Sequence, residues 1–258
     1  MVAAAAEAAA AGSAVILRAA AERGSHQVAT EAKGASGDYV TEVDRASERA
    51  VVEVLREATG LPTLGEEGGG REAERYWVID PLDGTTNFVH GFPVVGVSVA
   101  LVEQGRPVAG VVQAPFLGET YAGGRGEGAE IRRGGGAAAP LRVSERDPDR
   151  AVVGTGTPFR HKDLLARYLA VFGAALERFE DLRRPGAASL DLAWTAAGVF
   201  DGFFELGLSA WDVAAGGLLI EEAGGRVTDW TGGPDYLSGD ILAGPPEVHV
   251  ELLRLARA

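Results

Sequence analysis

The chain has 258 residues, of which 46% are hydrophobic, so it can bury a substantial core as one large domain or as two fused halves. It contains no cysteine, which excludes disulfides, cysteine-ligated zinc, iron–sulfur clusters and thiol nucleophiles. The formal net charge of -13 argues against nucleic-acid partners and anionic membrane surfaces, because both need clustered Lys and Arg.

The first predicted element is an Ala-rich helix over residues 2–23. Glu7 interrupts its apolar run and no basic segment precedes it, so the pattern favours a helix of the folded protein over a signal peptide. No stretch reaches about 18 uninterrupted apolar residues, so we expect no membrane span and a cytoplasmic protein. A polar loop around residues 34–37 is expected to end this segment.

A second helix is predicted to begin after Thr41. Asp44 follows three residues later, which is the spacing of a capping box, and apolar residues then recur at helical period. The sequence Thr-Gly-Leu-Pro at residues 59–62 is a stop signal. A Gly-rich loop containing Glu66 and Glu67 follows.

Strands then dominate up to residue 140. They are predicted at residues 76–79, 94–102, 107–113 and 120–122, with a hairpin joining the second and third. Residues 123–140 look like a loose Gly/Ala stretch and the seam between two halves. We therefore expect an N-terminal α+β half over residues 1–140 and a C-terminal α/β half over residues 141–258.

The second half is predicted to alternate strands and helices. The predicted strands cover residues 151–154, 202–206, 226–229 and 241–243. The predicted helices cover residues 161–178, 189–199, 211–223 and 247–256.

The most informative motif is residues 77–88, which read Trp-Val-Ile-Asp-Pro-Leu-Asp-Gly-Thr-Thr-Asn-Phe. An apolar strand is expected to end at Asp80, and a tight turn through Pro and Gly can bring Asp83 back beside it. Two such charges at ~4 Å repel by about 4 kcal/mol at an effective dielectric of 20, so the pair needs a cation or a shared proton. Hard divalent ions such as Mg²⁺ take oxygen ligands, and the turn also exposes the Leu82 carbonyl.

The residues directly after Asp83 suit an anion. Gly84, Thr85 and Thr86 can present backbone N–H groups and hydroxyls at a helix start. A metal site and a phosphate site are therefore expected side by side. The alternative reading is an ordinary acidic turn.

Two further acidic elements gain meaning only together with this motif. Glu66 and Glu67 could be a solvated charge pair. Asp212, at the start of the helix predicted over residues 211–223, could simply satisfy the helix dipole.

These motifs together resemble the inositol monophosphatase family. The resemblance rests on Gly-Glu-Glu at residues 65–67, Asp-Pro-Leu-Asp-Gly-Thr-Thr-Asn-Phe at residues 80–88 and Trp-Asp-Val-Ala-Ala-Gly at residues 211–216, and it extends through residues 89–93, 204–207 and 222–225. It implies the α/β fold of the sugar phosphatases, a layered α/β/α/β/α sandwich. It also implies a homodimer, sensitivity to Li⁺ and hydrolysis of a small phosphate monoester.

The resemblance implies Mg²⁺ as cofactor, with two ions and possible room for a third near Glu66 and Glu67. The ligands that it implies are Glu66, Asp80, the Leu82 carbonyl, Asp83 and Asp212, with Thr85 beside the first ion. Asp80 is expected to bridge the two ions. Two metals ~3.5 to 4 Å apart can clamp the attacking and leaving oxygens of an in-line displacement.

The family pattern further implies direct attack on phosphorus by a water that Glu66 and Thr85 help to deprotonate. Asp44 is expected to accept a hydrogen bond from the Thr85 hydroxyl, the alternative being simple capping of its helix. The family pattern implies that Gly84, Thr85 and Thr86 hold the phosphoryl oxygens.

The alcohol half of the substrate is assigned by the resemblance to Asp83, Glu205 and the backbone of Gly186, Ala187 and Ala188. Carboxylates suit sugar and cyclitol hydroxyls because each can accept two donors. The alternative for Glu205 is an exposed acid at the end of a strand.

The residues at 86–93 favour inositol 1-phosphate as the substrate that the resemblance implies, with fructose 1,6-bisphosphate, histidinol phosphate and adenosine bisphosphate as alternatives within the superfamily. An aspartyl-nucleophile phosphatase would need two Asp residues two apart and a downstream Lys. Here the spacing is three and only Lys162 follows the motif. A non-catalytic scaffold of this family would be expected to lack one of the carboxylates that bind metal, yet all four are present, namely Glu66, Asp80, Asp83 and Asp212.

Overall fold

The computed structural model describes residues 1–23, 30–32 and 39–258. The α-helices are α1 (Val2–Arg23), α2 (Glu42–Thr59), α3 (Thr85–His90), α4 (Leu165–Arg178), α5 (Ala188–Ala196), α6 (Ala210–Glu222) and α7 (Pro246–Arg257). The strands are β1 (Glu31–Ala32), β2 (Tyr39–Val40), β3 (Thr63–Gly65), β4 (Gly69–Gly70), β5 (Arg75–Asp83), β6 (Gly96–Glu103), β7 (Arg106–Ala114), β8 (Glu119–Gly124), β9 (Gly128–Arg133), β10 (Ala139–Pro140), β11 (Val152–Thr155), β12 (Asp181–Arg183), β13 (Gly202–Glu205), β14 (Arg226–Thr228) and β15 (Ile241–Gly244). The loop predicted around residues 34–37 lies outside the described residues.

Two sheets carry the fold. The first has eight strands in the order β10-β9-β8-β7-β6-β5-β3-β4 and is antiparallel except between β3 and β5. The second has the order β12-β11-β13-β15-β14, with parallel pairs on both sides of β11 and antiparallel pairs beyond. The first sheet draws its strands from residues 63–140 and the second from residues 152–244. The division into two halves at residue 140 stays a prediction.

Helices cover both sheets and fill the space between them. Helices α1 and α2 share a core with β5, β6 and β7, and α4 and α7 share another with the second sheet. Helices α5 and α6 lie between the sheets in the largest core, which contains Val112, Leu192, Val213, Leu219 and Phe203. The order is helix, sheet, helix, sheet, helix, which confirms the predicted layered α/β/α/β/α fold.

The central helices approach their neighbours so closely that glycine is required. A Cβ on Gly110 of β7 would lie 3.0 Å from the Ala215 Cα of α6. A Cβ on Gly216 of α6 would overlap the Leu192 side chain of α5. This packing fixes α6, and with it Asp212, against the first sheet.

Helix α1 has the predicted bounds and is long and apolar enough, by length and composition alone, to cross a membrane. In this structure it packs against α2 and against β6 and β7. Its residues Ala5, Ala8, Ala9 and Ile16 are buried in that core.

Residues 123–140 are not the loose stretch that the sequence suggests. They contain β9 and β10, which extend the first sheet beyond β8. Ala129 and Ile131 are buried while Glu130 and Arg132 are exposed, which is the alternation of a half-buried strand. The glycines obscured a short strand signal. Strands β1, β2, β3, β4 and β12 were also not predicted.

Candidate active site

Strand β5 positions the central acidic pair, but not by the predicted turn after Asp80. The strand continues to Asp83 through a bulge, because Asp80 pairs with Ser98 and Asp83 pairs with Gly96. Across this step β5 carries one residue more than β6, which kinks the strand and turns its side chains. The two carboxylates therefore meet through a bulge inside a strand.

Asp80, Asp83 and Asp212 form a buried cluster in which carboxylate oxygens of the three residues lie within 4.8 Å of one another. Asp212 comes from the other half of the chain, in the first turn of α6. Its Oδ2 accepts from the Ser209 N–H at 2.7 Å, so it closes a capping box and also joins the cluster. Asp212 thus caps its helix, as the alternative reading expects, and its role as a metal ligand stays a prediction.

Burial and mutual repulsion change the acidity of all three groups. Burial, followed by the charges of Glu66 and Asp83, holds the pKa of Asp80 well above its usual range. Burial also raises the pKa of Asp83, against hydrogen bonds from Ser189. For Asp212, burial and the Asp83 charge raise the pKa to about 7. Such a site favours protons or a cation over empty ionised carboxylates.

Helix α5 holds Asp83 in place. The Asp83 Oδ2 accepts from the Ser189 N–H at 2.7 Å and from the Ser189 hydroxyl at 2.6 Å. A Cβ on Gly96 would lie 2.7 Å from that hydroxyl oxygen, so the strand opposite leaves room for this contact. The role of Ser189 was not predicted from the sequence.

The loop between β3 and β4 brings Glu66 to the cluster. The Glu66 N–H donates to the Ile79 carbonyl at 3.2 Å, and the Glu66 side chain is 11% exposed and 3.4 Å from Arg160. Glu66 lines the same cleft as Asp80, whereas Glu67 does not line it.

Thr85 begins α3, directly after Gly84, whose φ of 87° is the left-handed conformation that favours glycine. Its hydroxyl donates to the Asp44 Oδ1 at 2.9 Å and lies 3.2 Å from the Leu82 carbonyl oxygen. The other Asp44 oxygen accepts from the Thr41 N–H at 2.9 Å in a capping box. Asp44 thus caps α2 and binds the Thr85 hydroxyl at once, one oxygen for each.

One cleft joins the carboxylate cluster to the predicted phosphate and alcohol segments. Its lining residues include Glu66, Asp80, Leu82, Asp83, Gly84, Thr85, Thr86, Gly186, Ala187, Ala188, Glu205 and Asp212. Every predicted site residue except Asp44 therefore lines this cleft, and Asp44 contacts it through Thr85.

Glu205 is not the exposed strand-end acid of the alternative reading. Its side chain is buried at the end of β13, and a Cβ on Gly156 would overlap both carboxylate oxygens. Burial and the charge of Asp212 hold its pKa well above the usual range. Asn87 of α3, which also lines the cleft, donates to the Pro185 carbonyl at 2.9 Å and so fixes the segment that carries Gly186.

Three charged cleft residues escaped the sequence analysis, namely Arg160, Arg184 and Asp191. Within the described part of the chain, the buried Asp191 Oδ1 has no hydrogen-bond partner, and burial followed by the Asp83 charge holds its pKa well above the usual range. An acid in the first turn of an otherwise apolar helix was the available signal.

A family model for the inositol monophosphatase family matches residues 1–258. The chain belongs to the inositol monophosphatase family. Its relatives include proteins named Nus factor SuhB from Pseudomonas aeruginosa, 48% identical over 84% of this chain and 82% of the relative, and from Escherichia coli, 44% identical over 83% and 80%.

Solved structures of inositol monophosphatase family members agree with the layered fold. The SuhB protein of Bartonella henselae superposes with a TM-score of 0.88 at 36% identity, covering 97% of this chain and 95% of that one. The inositol monophosphatase of Anabaena superposes with a TM-score of 0.86 at 35% identity, covering 99% and 94%. These likenesses support a phosphatase of this superfamily.

Proposed function

We propose that this protein hydrolyses a small phosphate monoester with the help of Mg²⁺, and that inositol 1-phosphate is its preferred substrate. The observation that carries the proposal is the cleft in which Asp80, Asp83 and Asp212 adjoin the segment from Gly84 to Thr86. Acidic oxygen ligands beside a phosphate-sized anion site are what metal-assisted phosphoryl transfer requires.

The donor set fits Mg²⁺. Three buried carboxylates with raised pKa values need positive charge, and hard oxygen ligands are those that Mg²⁺ prefers. Asp80, Asp83, Asp212, Glu66 and the Leu82 carbonyl would hold two ions. A third ion near Glu66 and Glu67 would have only Glu66 of this pair on the cleft lining. When bound, Mg²⁺ supplies electrophilic stabilisation of the phosphoryl and leaving oxygens.

The chain's own groups orient the attacking water. Because the Thr85 hydroxyl donates a hydrogen bond to Asp44, its oxygen lone pairs remain available to accept a hydrogen bond from water. Glu66 lines the same cleft as Thr85 and would take the proton that the water loses. Gly84, Thr85 and Thr86 would bind the phosphoryl oxygens.

The cleft also suits a polyol. Glu205, Asp83 and the backbone of Gly186, Ala187 and Ala188 line it and offer acceptors for ring hydroxyls. This arrangement supports inositol 1-phosphate, and fructose 1,6-bisphosphate, histidinol phosphate and adenosine bisphosphate are the comparison substrates.

The decisive test measures activity with and without Mg²⁺ in the unmodified protein and in variants that lack one carboxylate of the cluster. Activity on inositol 1-phosphate should require Mg²⁺, and Asp83→Asn or Asp212→Asn should abolish it without loss of the fold, because each removes charge from the metal cluster. Circular dichroism would verify the fold, and the exposed Glu145→Gln would serve as control. Full turnover by either cluster variant would contradict the assignment.

A second candidate function comes from the relatives, since those at 44–48% identity are named Nus factors. This role could operate beside hydrolysis. If the chain replaces SuhB in a deletion strain and Asp212→Asn replaces it equally well, the Nus role does not need the carboxylate cluster. If neither does, the candidate is lost.

We further propose a cytoplasmic homodimer whose hydrolysis is inhibited by Li⁺. Light scattering of the purified chain tests the assembly, and initial rates at millimolar Li⁺ test the inhibition. Indifference to Li⁺ would discard this detail and leave the metal-assisted mechanism standing.

A further inference from the structure

Three buried side chains of α2 hold three separate segments of the candidate site. Asp44 accepts from Thr85 at the start of α3, as described above. The Ser47 hydroxyl donates to the Pro81 carbonyl at 2.7 Å, in the bulge between the two strand carboxylates. Glu48 accepts from backbone N–H groups of the loop that carries Glu66. These residues are three and four positions apart, so they share one face of the helix.

The Glu48 contact is the most specific of the three. Its Oε2 accepts from the Glu67 N–H at 2.9 Å and its Oε1 accepts from the Gly68 N–H at 2.6 Å. The side chain is buried, so these N–H groups replace the water that an ionised carboxylate would otherwise need. Both oxygens are used, one for each N–H.

The loop sequence is adapted to this carboxylate. A Cβ on Gly65 would lie 2.6 Å from the Glu48 Oε2, and a Cβ on Gly68 would overlap the Oε1. Neither glycine has a positive φ, so proximity to Glu48 is the reason that a side chain is excluded. The glycines on both sides of Glu66 and Glu67 therefore let the backbone close onto α2.

We infer that Glu48 is a positioning residue that holds the Glu66 loop at the metal cluster and thereby sets the affinity for Mg²⁺. The inference rests on the proposed function, because Glu66 is a metal ligand only if that proposal holds. Glu48 itself does not line the cleft, so it acts through the Gly65–Glu66–Glu67–Gly68 backbone.

The test compares Glu48→Gln with Glu53→Gln, an exposed position on the same helix that removes the same charge. In Glu48→Gln, the side-chain NH₂ group would face one of the two loop N–H groups, where the carboxylate of Glu48 offers an acceptor oxygen. Mg²⁺ binding by calorimetry should weaken by about 10- to 100-fold in Glu48→Gln, the range for supporting contacts of metal ligands. Hydrogen exchange at the Glu67 and Gly68 amides should accelerate, and Glu53→Gln should match the unmodified protein in both measurements.

Steady-state kinetics separate a loss of Mg²⁺ affinity from general damage to the active site. The Mg²⁺ concentration for half-maximal rate should rise by about the same factor as the dissociation constant. At saturating Mg²⁺, KM for the phosphate ester should be unchanged and kcat should recover. Gly68→Ala disturbs the same contact from the loop side, because its Cβ would overlap the Glu48 Oε1. It should also weaken Mg²⁺ binding, and it keeps the test possible if Glu48→Gln fails to fold.

Unchanged Mg²⁺ affinity and unchanged exchange at Glu67 and Gly68, in a folded variant, would overturn the inference. If the unmodified protein bound no Mg²⁺, the proposed function would fall. The exchange comparison would still decide whether Glu48 holds the loop.

Discussion

Asp80, Asp83 and Asp212 concentrate negative charge in a buried space that favours protonation or a bound cation. The raised pKa values of these residues show that ionising all three carboxylates in the folded protein costs free energy. A functional site is where such a cost is expected to be retained. Single substitutions here should therefore separate stability from activity.

The first residue-scale prediction concerns pH. Asp212 has a folded pKa of about 7, above the 3.8 of an unperturbed Asp, so between these values the folded protein binds the proton more tightly than the unfolded chain. The unfolding free energy of the metal-free protein should then rise as pH falls from about 8 to 6, by up to about 1.4 kcal/mol per pH unit for one group.

Thermal unfolding in EDTA at pH 6, 7 and 8 measures this slope. Asp212→Asn should melt higher at pH 8 and show a smaller slope, because it removes one of the repelling charges. The same slope in both proteins would contradict the proposed coupling.

The second residue-scale prediction concerns Glu205. If its buried carboxylate accepts from a ring hydroxyl, Glu205→Ala should weaken kcat/KM for inositol 1-phosphate by about 1.5 to 3 kcal/mol. An aryl phosphate without hydroxyls should be hydrolysed almost as before, and the exposed Glu145→Ala should affect neither substrate. Equal slowing of both substrates would instead place Glu205 in the chemistry.

At the scale of elements, α6 is the part that the site depends on most. It lies between the sheets, carries Asp212 in its first turn, and contacts α5, which holds Asp83 through Ser189. Gly216 lies against Leu192 where these two helices touch. Any separation of α5 and α6 therefore moves two of the three carboxylates.

Two helical glycines give opposite predictions. Gly216→Ala should lower the unfolding free energy by about 1–3 kcal/mol, because the added Cβ overlaps Leu192 in a packed core. Gly173→Ala on α4 meets nothing within 4 Å and should raise it by about 0.5–1 kcal/mol through the better helix propensity. Urea unfolding measures both, and a destabilised Gly173→Ala would contradict the open space around this position.

At the scale of the whole molecule, the two sheets meet at the site. Asp80 and Asp83 come from β5 of the first sheet, whereas Glu205 and Asp212 follow from the second half of the chain. A bound cation would therefore join segments more than a hundred residues apart. Binding should be visible in global stability as well as in activity.

We predict that Mg²⁺ raises Tm. At a free concentration of about 100 times Kd, a single site contributes about 2.7 kcal/mol. For a chain of this size that corresponds to a rise of roughly 5–10 °C. Differential scanning calorimetry with MgCl₂, against NaCl of equal ionic strength, measures it, and Asp212→Asn should lose most of the rise. An equal rise in NaCl would mean that general screening, and no specific site, is responsible.

The sequence alone determined the family, the layered fold and most of the residues that line the cleft. Asp80, Asp83 and Gly84 lie within five residues, so their proximity is a local property of the chain. The capping box of Thr41 and Asp44 was likewise readable, because it depends on a spacing of three.

Only the tertiary structure decided how these parts are held. The bulge in β5 depends on its register with β6, and the contacts of Glu48, Ser189 and Asp191 depend on segments distant in sequence. Such residues look like ordinary helix positions until the helix is packed. Hydrogen bonds and burial between remote segments arise from the packing of the layers, which no local pattern specifies.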